Sequence, residues 1–210
     1  MTKLYAALAA ATVAGLLAGT ALFIYLKADE DVFAQCRGGQ VGGGDIGGPF
    51  TLIDGTGATV TDKDVLTKPS LVYFGYTFCP DVCPLDAARN AEAVDILEDL
   101  GLDVTPVFIS VDPARDTPEV MAEFAANLHP KMVGLTGSPE QVKAASQAYK
   151  TFYRKQDGDP DFYLVDHSTF TYLTLPSVGF VDFFRREDTA QQMAERVSCF
   201  AKTGVAAQKN

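Results

Sequence analysis

Tryptophan is absent from the 210-residue chain, histidine occurs twice and cysteine four times. With so few histidines, any metal site must draw on cysteine or carboxylate as well. Four cysteines in a chain of this length exclude a disulfide-rich miniprotein, in which dense bridges replace a core. Cations are also scarce: 17 Lys and Arg stand against 27 Asp and Glu, for a net charge of −10. Without a cationic stripe the chain is a poor partner for nucleic acid, whose polyanionic backbone needs clustered positive charge. Disorder is excluded from the other side, because 47% of residues are hydrophobic, enough to bury a core. The length suits one domain plus an appendage, and no internal repeat is visible. Solubility outside the cytoplasm accounts for most of the acidity; steering of a basic partner or a cation is a secondary use.

The N-terminus sets the compartment. The run from Leu4 to Leu26 carries no charge and is bounded by Lys3 and Lys27. It is long enough, at about 1.5 Å per helical residue, to cross a hydrocarbon core of roughly 30 Å. A cleaved signal peptide has a shorter apolar core, so the reading is a retained anchor over 1–28, with cleavage as the alternative. Lys3 on one side, and Asp29, Glu30 and Asp31 on the other, place the bulk of the chain outside the cytoplasm. Gly15 and Gly19 form a small-residue step, read as part of an Ala-rich anchor. The stretch 38–48, GGQVGGGDIGG, contains G-x-G-x-x-G at Gly42, Gly44 and Gly47. No strand precedes it and no helix follows, as a dinucleotide fingerprint requires, so 29–48 reads as a flexible tether.

Beyond the tether, 49–203 reads as one domain and 204–210 as a disordered tail. Strands are expected over 49–53, 70–76, 104–111, Met132–Leu135 and Phe180–Phe184, with a hairpin or tight turn at Asp54-Gly55. Helices are expected over 84–101, from 117, from Ser138 to about Tyr149 behind a capping box with Gln141, and over 188–201. This alternation implies an α/β sandwich with a partly parallel sheet. The span 151–178 reads as a long, mostly irregular loop, and loops of that length are often functional.

Cys79 and Cys83 lie between the first buried strand and the first helix, where open α/β sheets place their chemistry. Helix N-terminal amides and the helix dipole favour a thiolate there. Two thiolates four residues apart can chelate one ion or close a disulfide. A buried structural role is the bland reading of any free cysteine, but two on this loop, each followed by Pro, argue against it. Structural zinc would want four protein ligands.

Four blocks, GGPFTLID (47–54), VYFGYTFCPDVCP (72–84), SVDPARDTP (110–118) and VDHS (165–168), resemble the Sco/SenC family in the same order. The resemblance runs from about residue 47 to 196 and is specific because the blocks are in register. It implies a thioredoxin-like three-layer sandwich behind a single transmembrane helix, in a bacterial inner membrane with the domain in the periplasm, or in the equivalent inter-membrane compartment. It further implies one copper ion held by Cys79, Cys83 and His167, and a role in assembling the copper centre of cytochrome c oxidase, whose copper-bearing subunit would be the partner, with other periplasmic copper carriers or thiol reductants as further candidates. Thiolates suit copper(I), and imidazole suits either copper state. Asp81 is a candidate extra ligand or a solvated helix-end charge, and Asp166 is a candidate acceptor for the His167 ring or a plain turn residue. His129 reads as a capping or surface residue. Cys36 and Cys199 are candidates for a structural disulfide that ties the chain near the anchor to the domain's end; the alternative is two unpaired thiols. A metallochaperone is not an enzyme. The competing readings are a thiol–disulfide oxidoreductase using Cys79 and Cys83, with Pro176 in the place of a thioredoxin cis-proline, and a copper or redox sensor.

Overall fold

The computed structural model describes residues 2–27, 32–37, 45–159 and 162–207. It divides into two compact units, residues 1–34 and 35–210. The first is carried by helix α1 (Thr2–Lys27), whose described side chains are exposed. Its segment Lys3–Phe23 is long and apolar enough to cross a membrane.

In the second unit the elements follow as β1 (Thr51–Asp54), β2 (Thr59–Thr61), α2 (Asp62–Val65), β3 (Ser70–Gly75), α3 (Val82–Asp99), β4 (Thr105–Ser110), α4 (Pro118–Leu128), β5 (Val133–Thr136), α5 (Pro139–Ala148), β6 (Tyr153–Lys155), β7 (Val165–His167), β8 (Thr171–Leu175), β9 (Gly179–Phe184) and α6 (Ala190–Ala207). Seven strands form one mixed sheet in the order β2-β1-β5-β4-β3-β8-β9, and β6 and β7 form a separate two-stranded ribbon. The central strands β3, β4 and β5 run parallel, while β8 lies antiparallel to β3. Every residue of β3 is buried, which explains its unbroken apolar run: a strand covered on both faces has no polar side. Helix α3 packs against α6, and α4 against β5.

The local signals act as their chemistry predicts. Thr117 caps α4 by accepting the Val120 amide, with Pro118 in the first turn. Ser138 and Gln141 exchange the reciprocal bonds of a capping box at α5. Asp54 organises the β1–β2 turn by accepting the amides of Thr56 and Ala58. After α3, Gly101 adopts φ +75° and its amide bonds back to the Glu98 carbonyl, a left-handed cap that favours glycine.

Several expectations change. The span 151–178 is mostly irregular, as expected, but it also holds three short strands that were not expected, β6, β7 and β8. Three-residue strands are too short to display a period, and β8 is buried at every position, so it shows no alternation. Helix α6 continues to Ala207, beyond the expected start of a tail at 204, because Val197, Phe200, Ala201 and Gly204 keep a buried stripe at helical spacing. Residues 208–210 lie outside the described residues. The tether expected over 29–48 is shortened at its far end, since Ile46 packs on the core; residues 28–31 and 38–44 lie outside the described residues. Within 32–37, Cys36 is buried and joined to Cys199 by a disulfide, Cα–Cα 5.5 Å. His129 is the C-cap residue of α4, as the capping reading expected, but it is buried rather than superficial: its Nδ1 accepts the Lys131 amide and its Nε2 faces Asp95 at 3.2 Å.

Candidate metal centre

Strand β3 delivers the chain to the loop that carries Cys79, and α3 begins at Val82, so Cys83 lies in its first turn. The Cys83 amide points at Cys79 Sγ, 3.4 Å away. Histidine reaches the same place by register rather than by sequence. Because β8 is antiparallel to β3 and pairs Thr171 with Tyr73, the chain entering β8 passes the end of β3 from which the cysteine loop departs. The β6–β7 ribbon, which pairs Tyr153 with His167, holds the histidine there. The donor atoms of Cys79, Cys83 and His167 all lie within 4.8 Å of one another. Both cysteines are free thiols in this structure.

The imidazole orientation follows from one bond. His167 Nδ1 lies 2.8 Å from the Ser168 carbonyl oxygen, which can only accept, so Nδ1 carries the proton and Nε2 keeps its lone pair. That nitrogen faces Cys83 Sγ at 3.1 Å. Tyr73 and Tyr76 flank the ring edge-on, at 6.1 and 5.8 Å between centroids. Burial lowers the His167 pKa, opposed by its bond to Ser168, so the ring is held neutral.

The two thiols differ. Burial works against the Cys79 thiolate, but the amides of Asp81, Cys83 and Val82 outweigh it and bring its pKa below the ordinary thiol value. Cys83 has no exposed surface, and burial drives its pKa well above that of an ordinary thiol. Its sulfur has room only because Gly75 ends β3: a Cβ there would sit 3.0 Å from Cys83 Sγ, 2.8 Å from Tyr73 Cε1 and 2.9 Å from Phe108 Cζ.

Other expected residues fall elsewhere. Asp81 caps α3 in the chain sense, without a side-chain cap bond, and is not among the grouped donors. Asp166 does not orient the ring; it binds Arg154 Nη2 at 2.9 Å and Gln156 Nε2 at 2.6 Å, its cross-strand neighbour being Arg154. The Ser168 carbonyl does that work. Pro176 follows β8, past Thr174, which pairs with Ser70, and so lies at the opposite end of β3 from the cysteines. It cannot face them as a thioredoxin cis-proline does; among the described residues no peptide bond is cis.

Three residues around the centre were not singled out in the sequence. Tyr73 donates its hydroxyl to the buried Asp86 carboxylate at 3.0 Å, and Tyr76 accepts the Val165 amide at 3.3 Å. Two tyrosines in a buried strand just before the cysteines were a signal, since a buried phenol needs a partner. Asp86 gave none: a lone acid in a helix reads as solvated.

A thioredoxin-like α/β domain with two thiols and a neutral imidazole converging beyond a strand end defines a thiol-based metal-binding or redox class. Within that class the lineage is specific. The family model for SCO1/SenC matches residues 39–202, and the chain belongs to this family. It is 57% identical to protein SenC of Rhodobacter capsulatus over 198 residues, covering 93% of this chain and 89% of that protein. Its fold matches the crystal structure of Arabidopsis thaliana ScoI with copper bound, at a TM-score of 0.71 and 42% identity, over 75% of this chain and 99% of that one. The crystal structure of yeast Sco1 with copper bound matches at a TM-score of 0.73 and 36% identity, over 79% and 93% of the two chains.

Proposed function

We propose that this protein is a membrane-anchored copper metallochaperone that carries one copper ion on Cys79, Cys83 and His167 and delivers it to the copper centre of cytochrome c oxidase. The observation that carries the reading is the convergence of three donors within 4.8 Å, two of them thiols and the third a nitrogen with its lone pair turned inward. Thiolates and imidazole are soft and borderline ligands suited to copper. Three ligands leave a coordination position for an incoming group from the acceptor, which suits a cargo ion. Phe78, Leu85 and Phe162 are 55%, 60% and 84% exposed, on segments bearing or leading to the ligands, and supply apolar surface for an acceptor. The relatives with copper bound support the same metal. In this reading 1–28 anchors the chain in the bacterial inner membrane, the residues that follow form a tether, and the domain works in the periplasm.

One observation favours a second reading. The amides around Cys79 lower its pKa while burial raises that of the adjacent Cys83, and an uneven thiol pair on one loop is also the arrangement of a thiol–disulfide oxidoreductase. Copper titration of the full chain in detergent, with His167→Ala beside the wild type, separates the two. The chaperone reading expects a loss of copper affinity of at least about tenfold on removing a ligand. Unchanged affinity together with strong dithiol exchange would give the function to the oxidoreductase.

A further inference from the structure

The loop between β4 and α4, residues 111–117, supplies none of the grouped donors, yet it grips both segments that do. On the cysteine side, the fully buried Asp116 accepts the Thr77 amide at 3.1 Å, the Thr77 hydroxyl at 2.5 Å and the Ser110 hydroxyl at 2.5 Å. On the histidine side, Asp112 Oδ1 accepts the Tyr163 hydroxyl at 2.7 Å. Arg115 joins the two sides. Its Nε donates to Asp112 Oδ2 at 2.6 Å, and its guanidinium carbon lies 3.7 Å from the Tyr163 ring centroid and 4.8 Å from that of Phe78. Phe78 is the residue before Cys79. Tyr163 leads into β7, which ends at His167, and the Val165 amide closes the circuit on Tyr76.

We propose that Arg115 is a positioning residue of the metal centre: stacked on Phe78 and Tyr163 together, it fixes the cysteine loop relative to the histidine strand and so sets copper affinity without touching the ion. The proposal deepens the copper reading and rests on it. The physical case lies in what arginine can do at this point. A planar guanidinium stacks on aromatic rings while its edge holds a carboxylate. Its side chain is only 14% exposed, so its position is set by these contacts rather than by solvent. A lysine would keep the charge as a compact point but could not satisfy Asp112 and two rings at once. Lys155, whose ammonium lies 3.5 Å from the same Tyr163 ring, has no such tie to the cysteine loop.

A purely structural role for Arg115 would lower stability and leave the loaded site unchanged, so the test reads both. Wild type, Arg115→Lys, Arg115→Gln, Tyr163→Phe and Lys155→Ala are compared as full chains in detergent. Affinity is read by competition with a chromophoric copper(I) chelator, the Cu(II) form by its electron paramagnetic resonance spectrum, and stability by the melting temperature of the metal-free protein. Arg115→Lys and Arg115→Gln should lose affinity by roughly tenfold, the lower range for groups that orient metal ligands, with an altered Cu(II) spectrum. Tyr163→Phe, which keeps the ring and loses the bond to Asp112, should lose less, and Lys155→Ala should match wild type. If both Arg115 variants keep wild-type affinity and spectrum, or if affinity falls only in step with the melting temperature while the spectrum is unchanged, Arg115 is not a positioning residue. A wild-type chain that fails to bind copper at all sinks the copper reading and takes this proposal with it, an outcome distinct from intact binding in the variants.

Discussion

Replacing Gly75 by alanine tests whether β3 and the metal centre share one packing constraint. The added methyl would stand 2.8 Å from Tyr73 Cε1, 2.9 Å from Phe108 Cζ and 3.0 Å from Cys83 Sγ, where relaxed carbon contacts lie at about 3.5–4.0 Å. Neither ring can swing aside freely, since Tyr73 and Phe108 are each 1% exposed and stack on one another at 5.7 Å. Forcing a methylene into a packed core costs about 1–3 kcal/mol. Losing glycine's extra freedom in the unfolded chain offsets about 0.5–1 kcal/mol of that. The net expectation is a destabilisation of up to about 2.5 kcal/mol, read as a lower urea midpoint of the reduced, metal-free protein with an unchanged slope. The third contact makes the same variant a probe of function. Cys83 Sγ sits 3.1 Å from His167 Nε2, so a shift of the sulfur should lower copper affinity as well. An alanine variant with the wild-type midpoint and wild-type copper affinity would refute the claim that this glycine makes room for the ligand.

Two further predictions concern the chain's cysteines. Cys36 and Cys199 are separated by 163 residues, and closing a loop of that length removes about 5 kcal/mol of unfolded-state entropy in the chain-entropy model. Cys36→Ser with Cys199→Ser should therefore unfold at markedly lower denaturant than the oxidised wild type; equal midpoints, or two free thiols found by mass spectrometry of the non-reduced protein, would remove the staple. Copper affinity should also depend on pH. Burial raises the Cys83 pKa above the ordinary thiol value, so this group is protonated at neutral pH and must release a proton when it binds as thiolate. His167, its pKa lowered by burial, is already neutral there. Affinity should thus rise at least about tenfold per unit from about pH 7 to 8 and fall at least as steeply on acidification; a flat profile in a competition titration would contradict the assignment of Cys83 as a ligand.

Local chemistry was legible in the sequence wherever neighbours in the chain are neighbours in space. The buried run of β3, the caps at Thr117 and Ser138, and a cysteine pair at a strand-to-helix loop all depend on residues a few positions apart, and the structure places them accordingly. The ribbon β6–β7 and strand β8 were not legible, because their stability comes from partners far along the chain. The burial of His129 against Asp95 was hidden for the same reason: α3 and α4 meet only in the fold.

His167 shows the division most clearly. From spacing alone it was one histidine on a long segment, and only the matching sequence blocks pointed to it. The antiparallel register of β8 on β3 is what brings it beside Cys83. That same register sends Pro176 to the far end of the strand, and the turn of the ring away from Asp166 toward the Ser168 carbonyl is a matter of local ribbon geometry. Arg115, with no sequence signal beyond its block, gains its place by stacking between two loops. By itself the sequence determined the donor types, the apolar N-terminal segment, the strands β1, β3, β4, β5 and β9 and the helices α3 to α6, because these follow from side-chain chemistry and short-range periodicity. The tertiary structure alone decided which distant segments meet, since strand register and close packing, not chain proximity, set the distances between the three donors.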